Sequence, residues 1–152
     1  MSINAQEFLQ ATTEEALDDR LEPCPPGEWL AIAGQPEIKD FTYKSGDREG
    51  ETGYRMVIRW EVHDDEAKRQ VDRDKLSVTQ SVLLDLSEDG SALDFGKGKN
   101  IGLGQIRTAI GQNQAGQPWA PAMIEGSPAK VVVKAGVYNN MPTAEVAAVT
   151  SA

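Results

Sequence analysis

The run Tyr54–Val62 leaves this chain little choice locally. Tyr54, Met56, Ile58, Trp60 and Val62 fall on one side of an extended backbone, and Arg55, Val57, Arg59 and Glu61 on the other. Strand side chains alternate with a period of two, so the run predicts a half-buried strand with Trp60 in the core. Arg55 and Arg59 then share the outward face. They either follow the phosphates of an extended single strand or pair with acids on neighbouring strands.

Leu76–Leu86 repeats the pattern, with Leu76, Val78, Val82, Leu84 and Leu86 inward and Ser77, Thr79, Ser81 and Asp85 outward. Glu28–Ala33 and Glu37–Tyr43, separated by Gly34–Pro36, also alternate. In Ser127–Tyr138, Val131, Val133, Ala135 and Val137 are expected inside, and Lys130, Lys134 and Tyr138 outside. Asn139-Asn140 reads as a turn. Residues 139–152 then form a C-terminal tail with a short strand at Glu145–Val149. The segments 44–53 and 63–75 are polar and densely charged, and read as solvated connections. The fold class expected is mainly β with one short helix, an antiparallel β-barrel or sandwich over residues 23–138.

The helix is expected after the stretch 93–107. Gly96, Gly98, Gly102 and Gly104 alternate there with Lys97 and Lys99, and Leu103, Ile106 and Ile110 have helical spacing. The spacing predicts a helix from about Ile101 to Gly111, capped by Asn100 and ended by Gly111. Nucleotide-hydrolysis motifs are absent: Gly98-Lys99 is followed by Asn100, and the dinucleotide glycine spacing fails at Ile101. The loop is either an anion cradle or a tight strand-to-helix joint. Trp119, between Pro118 and Pro121, is either a lid on the core or a stacking platform.

The net charge of −9 is unevenly spread. Residues 1–22 hold six acids and one base, whereas residues 95–152 hold two acids and five bases. The first segment reads as an acidic leader, partly helical or mobile, with Thr12 and Glu15 at capping-box spacing. An acidic total opposes broad adhesion to polyanions but permits a local basic groove. No basic segment followed by an apolar run opens the chain and no run approaches membrane-spanning length, so no signal peptide and no membrane partner are expected. Cys24, the single cysteine, lies among prolines and reads as a packed thiol. His63 is the only histidine and sits in a charged segment. No catalytic constellation, metal site or cofactor is expected, and the protein is not expected to be an enzyme.

Pro26-Gly27-Glu28-Trp29 opening the first strand, Trp60-Glu61-Val62 closing a central one, and Gly104-Gln105-Ile106-Arg107 leading through Gly126 to Ala129-Lys130-Val131-Val132-Val133 form a familiar order. Over residues 25–138 it resembles small phage proteins of replication and recombination modules, considered single-stranded DNA-binding-like. The resemblance implies a barrel akin to an oligonucleotide-binding fold and a non-catalytic accessory protein acting on single-stranded DNA in the host cytoplasm. Under it, Arg55, Arg59, Lys130 and Lys134 track phosphates, Lys97, Lys99 and Arg107 extend the groove, and Trp119 or Tyr138 offers a stacking face. The other expectation is a structural component of the virion, a capsid decoration or cement protein whose terminal arms clamp capsid subunits. Either role is compatible with a homo-oligomer.

Overall fold

The computed structural model describes residues 2–152. It is mainly β, with six antiparallel strands in one sheet: β1 (Gly27–Ala33), β2 (Glu37–Thr42), β3 (Thr52–Val62), β4 (Ser77–Leu84), β5 (Pro128–Tyr138) and β6 (Met141–Thr150). The helices are α1 (Ala5–Gln10), α2 (Asp65–Gln70) and α3 (Ile101–Ala109), with a 3-10 turn at Pro121–Ile124.

β3 is the hub. One edge pairs with β4 along Tyr54–Glu61. The other edge pairs first with β2, along Thr52–Val57, and then with β1 at Trp60–Val62. β1 and β2 therefore act as two halves of one bent strand. At the bend the Gly34 N–H donates to the Arg59 carbonyl at 2.8 Å, and a Cβ there would lie 3.0 Å from that oxygen. The close approach favours glycine.

β1 passes the sheet on to β5, and β5 to β6. No ladder joins β6 back to β4, although the two strands approach within 8 Å between Cα atoms. α3 packs against both at that gap. Gly102 lets its first turn settle on Val82, whose Cγ1 would lie 3.3 Å from an added Cβ. The sheet is thus curled and open, with a helix in place of the ladder that would close the expected barrel.

The alternation of β3 is realised. Met56, Ile58, Trp60 and Val62 are fully buried, while Arg55, Arg59 and Glu61 face solvent. Ala33 lies directly opposite Trp60 on β1, and its small side chain leaves room for the indole. The Trp60 Nε1–H donates to Gln80 Oε1 at 2.8 Å, and the Trp29 Nε1–H to the Pro25 carbonyl at 2.8 Å, so neither buried indole is left unpartnered. Leu103 and Ile106 of α3, Ile124, Val131 and Val133 complete the core.

Four segments differ from the expectation. The charged stretch 63–75 contains a helix, α2, in place of a plain hairpin connection. Asp64 caps it by accepting from the Ala67 N–H at 3.1 Å, and Asp65 and Glu66 in the first turn and Lys68 and Arg69 in the last complement the helix dipole. In the leader, the helix is capped by Asn4, which accepts from the Gln6 and Glu7 N–H groups, and the Thr12 spacing is not used. The C-terminal residues expected as a tail form the ten-residue strand β6, because β5 offers a long free edge. Ala135 and Val137, expected inside, are exposed, since β1 stops pairing at Val133 and nothing covers the sheet beyond it. The Asn139-Asn140 turn forms with φ of 50° and 62°, the geometry suited to two-residue hairpins.

Two consequences are measurable. Trp60→Ala removes a fully buried indole beside a small residue and is expected to cost about 3–5 kcal/mol in urea denaturation; a loss under about 1 kcal/mol would contradict the packing described. Burial pushes the Cys24 thiol up to about 11 from 9.0, despite the nearby Arg73 charge. The folded chain then keeps a proton that the unfolded chain releases, so this group lowers stability as pH rises from about 9 to about 11. Iodoacetamide at pH 8 should label Cys24 in denaturant and spare it in the native protein.

Candidate functional site

The outward face of β3 carries the clearest basic surface. Four residues of extended chain place the Arg55 and Arg59 Cα atoms about 13 Å apart on the same side. Register sets Lys39 of β2 and Leu83 of β4 on either side of Arg55, and Thr79 of β4 beside Arg59. The Arg59 Nε–H donates to Ser77 Oγ at 3.0 Å, which holds its side chain along the sheet. Glu37 and Glu61 share this face, but they lie 3.8 Å from Lys39 Nζ and 3.7 Å from His63 Nε2 respectively. Among the described residues, no carboxylate comes within 4.0 Å of Arg55 or Arg59. Cross-strand pairing with acids, the other reading of these arginines, is not what the register produces.

The Gly/Lys loop is a joint. The Gly96 N–H is taken by Asp94 Oδ1 at 2.8 Å, the Lys99 N–H by the Gly96 carbonyl at 3.2 Å, and the Asn100 N–H by Asp85 Oδ2 at 3.0 Å. Those three amides are engaged within the joint itself. Lys97 and Lys99 are exposed on it without ion-pair partners among the described residues.

Asn100, expected to cap α3, does not do so with its side chain; it sits at φ 54° and ψ 38° and makes no side-chain capping bond. Its Nδ2 donates to the Asp85 carbonyl at 2.8 Å and the Asp94 carbonyl at 3.0 Å, and its Oδ1 accepts from the Asp85 N–H at 2.8 Å. The amide thus substitutes for a neighbouring strand where β4 has run out, a task whose geometry asparagine supplies and which its left-handed backbone tolerates.

Arg107 and Trp119, far apart in sequence, form one unit. The guanidinium lies over the indole at 4.2 Å from its centroid. The Arg107 Nε–H donates to the Gln112 carbonyl at 3.0 Å, and the Trp119 Nε1–H to Gln112 Oε1 at 2.8 Å. Gln112 is itself fixed by donating to the Met123 carbonyl and Ser127 Oγ. Trp119 is half-buried against the core and faces a groove of about 1010 Å³. It is therefore part lid and part groove wall.

The remaining predicted residues lie elsewhere on the sheet. Lys130 is on the outer face of β5 opposite Leu30, with β1 intervening between it and β3. Lys134 is 3.8 Å from Glu145, its partner on β6. Tyr138 stands 71% exposed at the tip of the β5–β6 hairpin. The structure joins Arg55 with Arg59, and Arg107 with Trp119, and does not join Lys130, Lys134 or Tyr138 to either pair. Two contributors escaped sequence reasoning: Lys39, found only through strand register, and Gln112, whose role depends on a loop closure.

A scan against protein-family models found no match, and neither did a search of curated proteins.

The Asn100 latch is directly testable. Asn100→Ala leaves the Asp85 N–H and the Asp94 carbonyl without this partner, while the Asp85 carbonyl keeps the Asp94 N–H at 2.9 Å; a loss of about 1–3 kcal/mol is expected in thermal or urea unfolding. An unchanged midpoint would show that water replaces the latch.

Proposed function

We propose that this chain is a non-catalytic, phage-type accessory protein that binds single-stranded DNA in the host cytoplasm. The observation that carries the reading is the pair Arg55 and Arg59, without carboxylate partners among the described residues on the solvent face of the central strand. The chain has 24 acids against 15 lysines and arginines, so pairing partners are plentiful. Lys39 extends the same face across β2. Guanidinium groups so placed meet backbone phosphates without reading bases, which suits sequence-tolerant binding.

Strand order supports the same reading. With β1 and β2 taken as one bent strand, the chain runs through five strands with a helix before the last hairpin, and the β3–β4 face corresponds to the middle strands on which oligonucleotide-binding folds carry their ligands. Thr79, Ser81 and Leu83 on β4 flank the arginines and add polar and apolar contacts.

A second reading, a virion structural component, draws on a different observation. Residues 2–22 are exposed throughout, apolar side chains included: Phe8, Leu9 and Leu17 are 66%, 77% and 91% exposed. Such an arm suits docking on another subunit. Only the front arm is available for this, because the rear one is built into the sheet as β6.

Binding of fluorescein-labelled oligo-dT by the full chain separates the readings. The single-strand reading expects log K to fall by about 0.7 per phosphate contact for each tenfold rise in salt. Replacing Arg55 and Arg59 together by Ala should flatten that slope by about 1.4. Affinity that does not change with salt, or that is indifferent to both substitutions, would remove the β3 face from the mechanism. Deleting residues 2–22 should leave this binding intact.

A further inference from the structure

We propose that the groove beside Trp119 receives one nucleobase of the bound strand, stacked on the guanidinium plane of Arg107. The inference rests on the single-strand reading above and names where a base leaves the phosphate track.

The lining chemistry selects the occupant. The walls are Ile38, Tyr54, Leu84 and Leu93, with Phe95 at the mouth and the Arg107–Trp119 stack at one side. In a chain with nine more acids than bases, no carboxylate lines this groove among the described residues, and Arg107 is the only charged one that does. An apolar cleft with a single positive charge suits a flat apolar ring attached to an anion. A nucleobase on its phosphodiester has that character. The groove, at about 1010 Å³, accommodates it readily.

Arg107 is prepared for the task before any ligand arrives. Trp119 lies against one face of its guanidinium, and the Gln112 carbonyl holds its Nε. An ordered guanidinium plane is a stacking surface for bases, as an aromatic ring is. Phe95 is 80% exposed and also lines the groove, so an apolar ring stands in solvent where a base could cover it. Side-chain amides of Gln114 and Gln117 at the rim supply donors and acceptors suited to base edges.

The route from the phosphate face is short. Among the described residues β2 pairs only with β3, which leaves its other edge without a strand partner. Lys39 belongs to the outer face beside Arg55, whereas its neighbour Ile38 belongs to the opposite face and lines the groove at 54% exposure. A strand following Arg59, Arg55 and Lys39 therefore reaches the groove by turning one nucleotide over that edge.

The test compares fluorescein-labelled dT15 with an abasic 15-mer of the same backbone, using the full chain and its Arg107→Lys and Phe95→Ala variants. Circular dichroism and melting temperature check that each variant folds. Lysine keeps the charge and loses the plane, and Phe95→Ala leaves charge untouched. The proposal expects dT15 to bind about fivefold or more tightly than the abasic strand, the lower end of what one stacked base contributes. It expects each variant to lose most of that preference at unchanged salt slope. Trp29 and Trp60 are buried in the core, so quenching of the intrinsic fluorescence by dT15, absent with the abasic strand, reports Trp119. Equal, salt-dependent binding of both strands by wild type and variants would overturn the groove proposal and leave the phosphate face standing. Failure of either strand to bind would end the single-strand reading and this inference with it. A dimer in light scattering that Phe95→Ala dissolves would give the groove to a second copy of the chain and overturn the proposal.

Discussion

The backbone of Thr52–Val62 is hydrogen-bonded along both edges, and the rest of the chain is arranged to satisfy it. One edge takes a single partner and the other takes two in succession, which forces the bend at Gly34 and the curl of the sheet. Because side chains alternate strictly, a slip of one residue would turn Trp60 outward and bring Arg55 and Arg59 into the core. The buried cost of unpaired guanidinium groups makes that register prohibitive. Trp60, opposite Ala33 on β1 and bonded to Gln80 of β4, pins the chosen register from both neighbouring strands.

The same alternation separates two kinds of surface. The face turned outward collects Arg55, Arg59 and Lys39, and the face turned inward runs out of cover at Tyr54, Ile38 and Leu84. Where the core ends, loops fold back and leave a groove walled by apolar side chains and the Arg107–Trp119 stack. A basic face and an apolar groove thus meet at the edge of β2 away from β3. The proximity follows from register, not from any local motif.

Legibility in the sequence tracked how local the governing physics is. The strands around Met56, Val78 and Val131 were readable because alternation is a property of consecutive residues, and α3 because Leu103 and Ile106 repeat at helical spacing. The Gly111 stop was readable for the same reason, its φ being 73°. α2 was missed although Asp64, the early acids and the late bases were all in view; the segment has few apolar residues, and only Ala67 is buried. Asn100 looked like a cap because caps are local. Its partners Asp85 and Asp94 belong to a junction that exists only once β4 has ended beside the loop.

The sequence by itself determined that the chain is mainly β, that Met56, Ile58, Trp60 and Val62 of β3 face inward, and that Arg55 and Arg59 share a solvent face. These follow from a period of two and from the cost of burying charge. Only the tertiary structure decided that Lys39 flanks Arg55, that Lys134 is paired with Glu145 and Lys130 lies beyond β1, and that Arg107 rests on Trp119. Each of these depends on which strands become neighbours and where loops close. Such long-range pairings balance loop entropy against shared burial over the whole sheet, and no stretch of consecutive residues records the outcome.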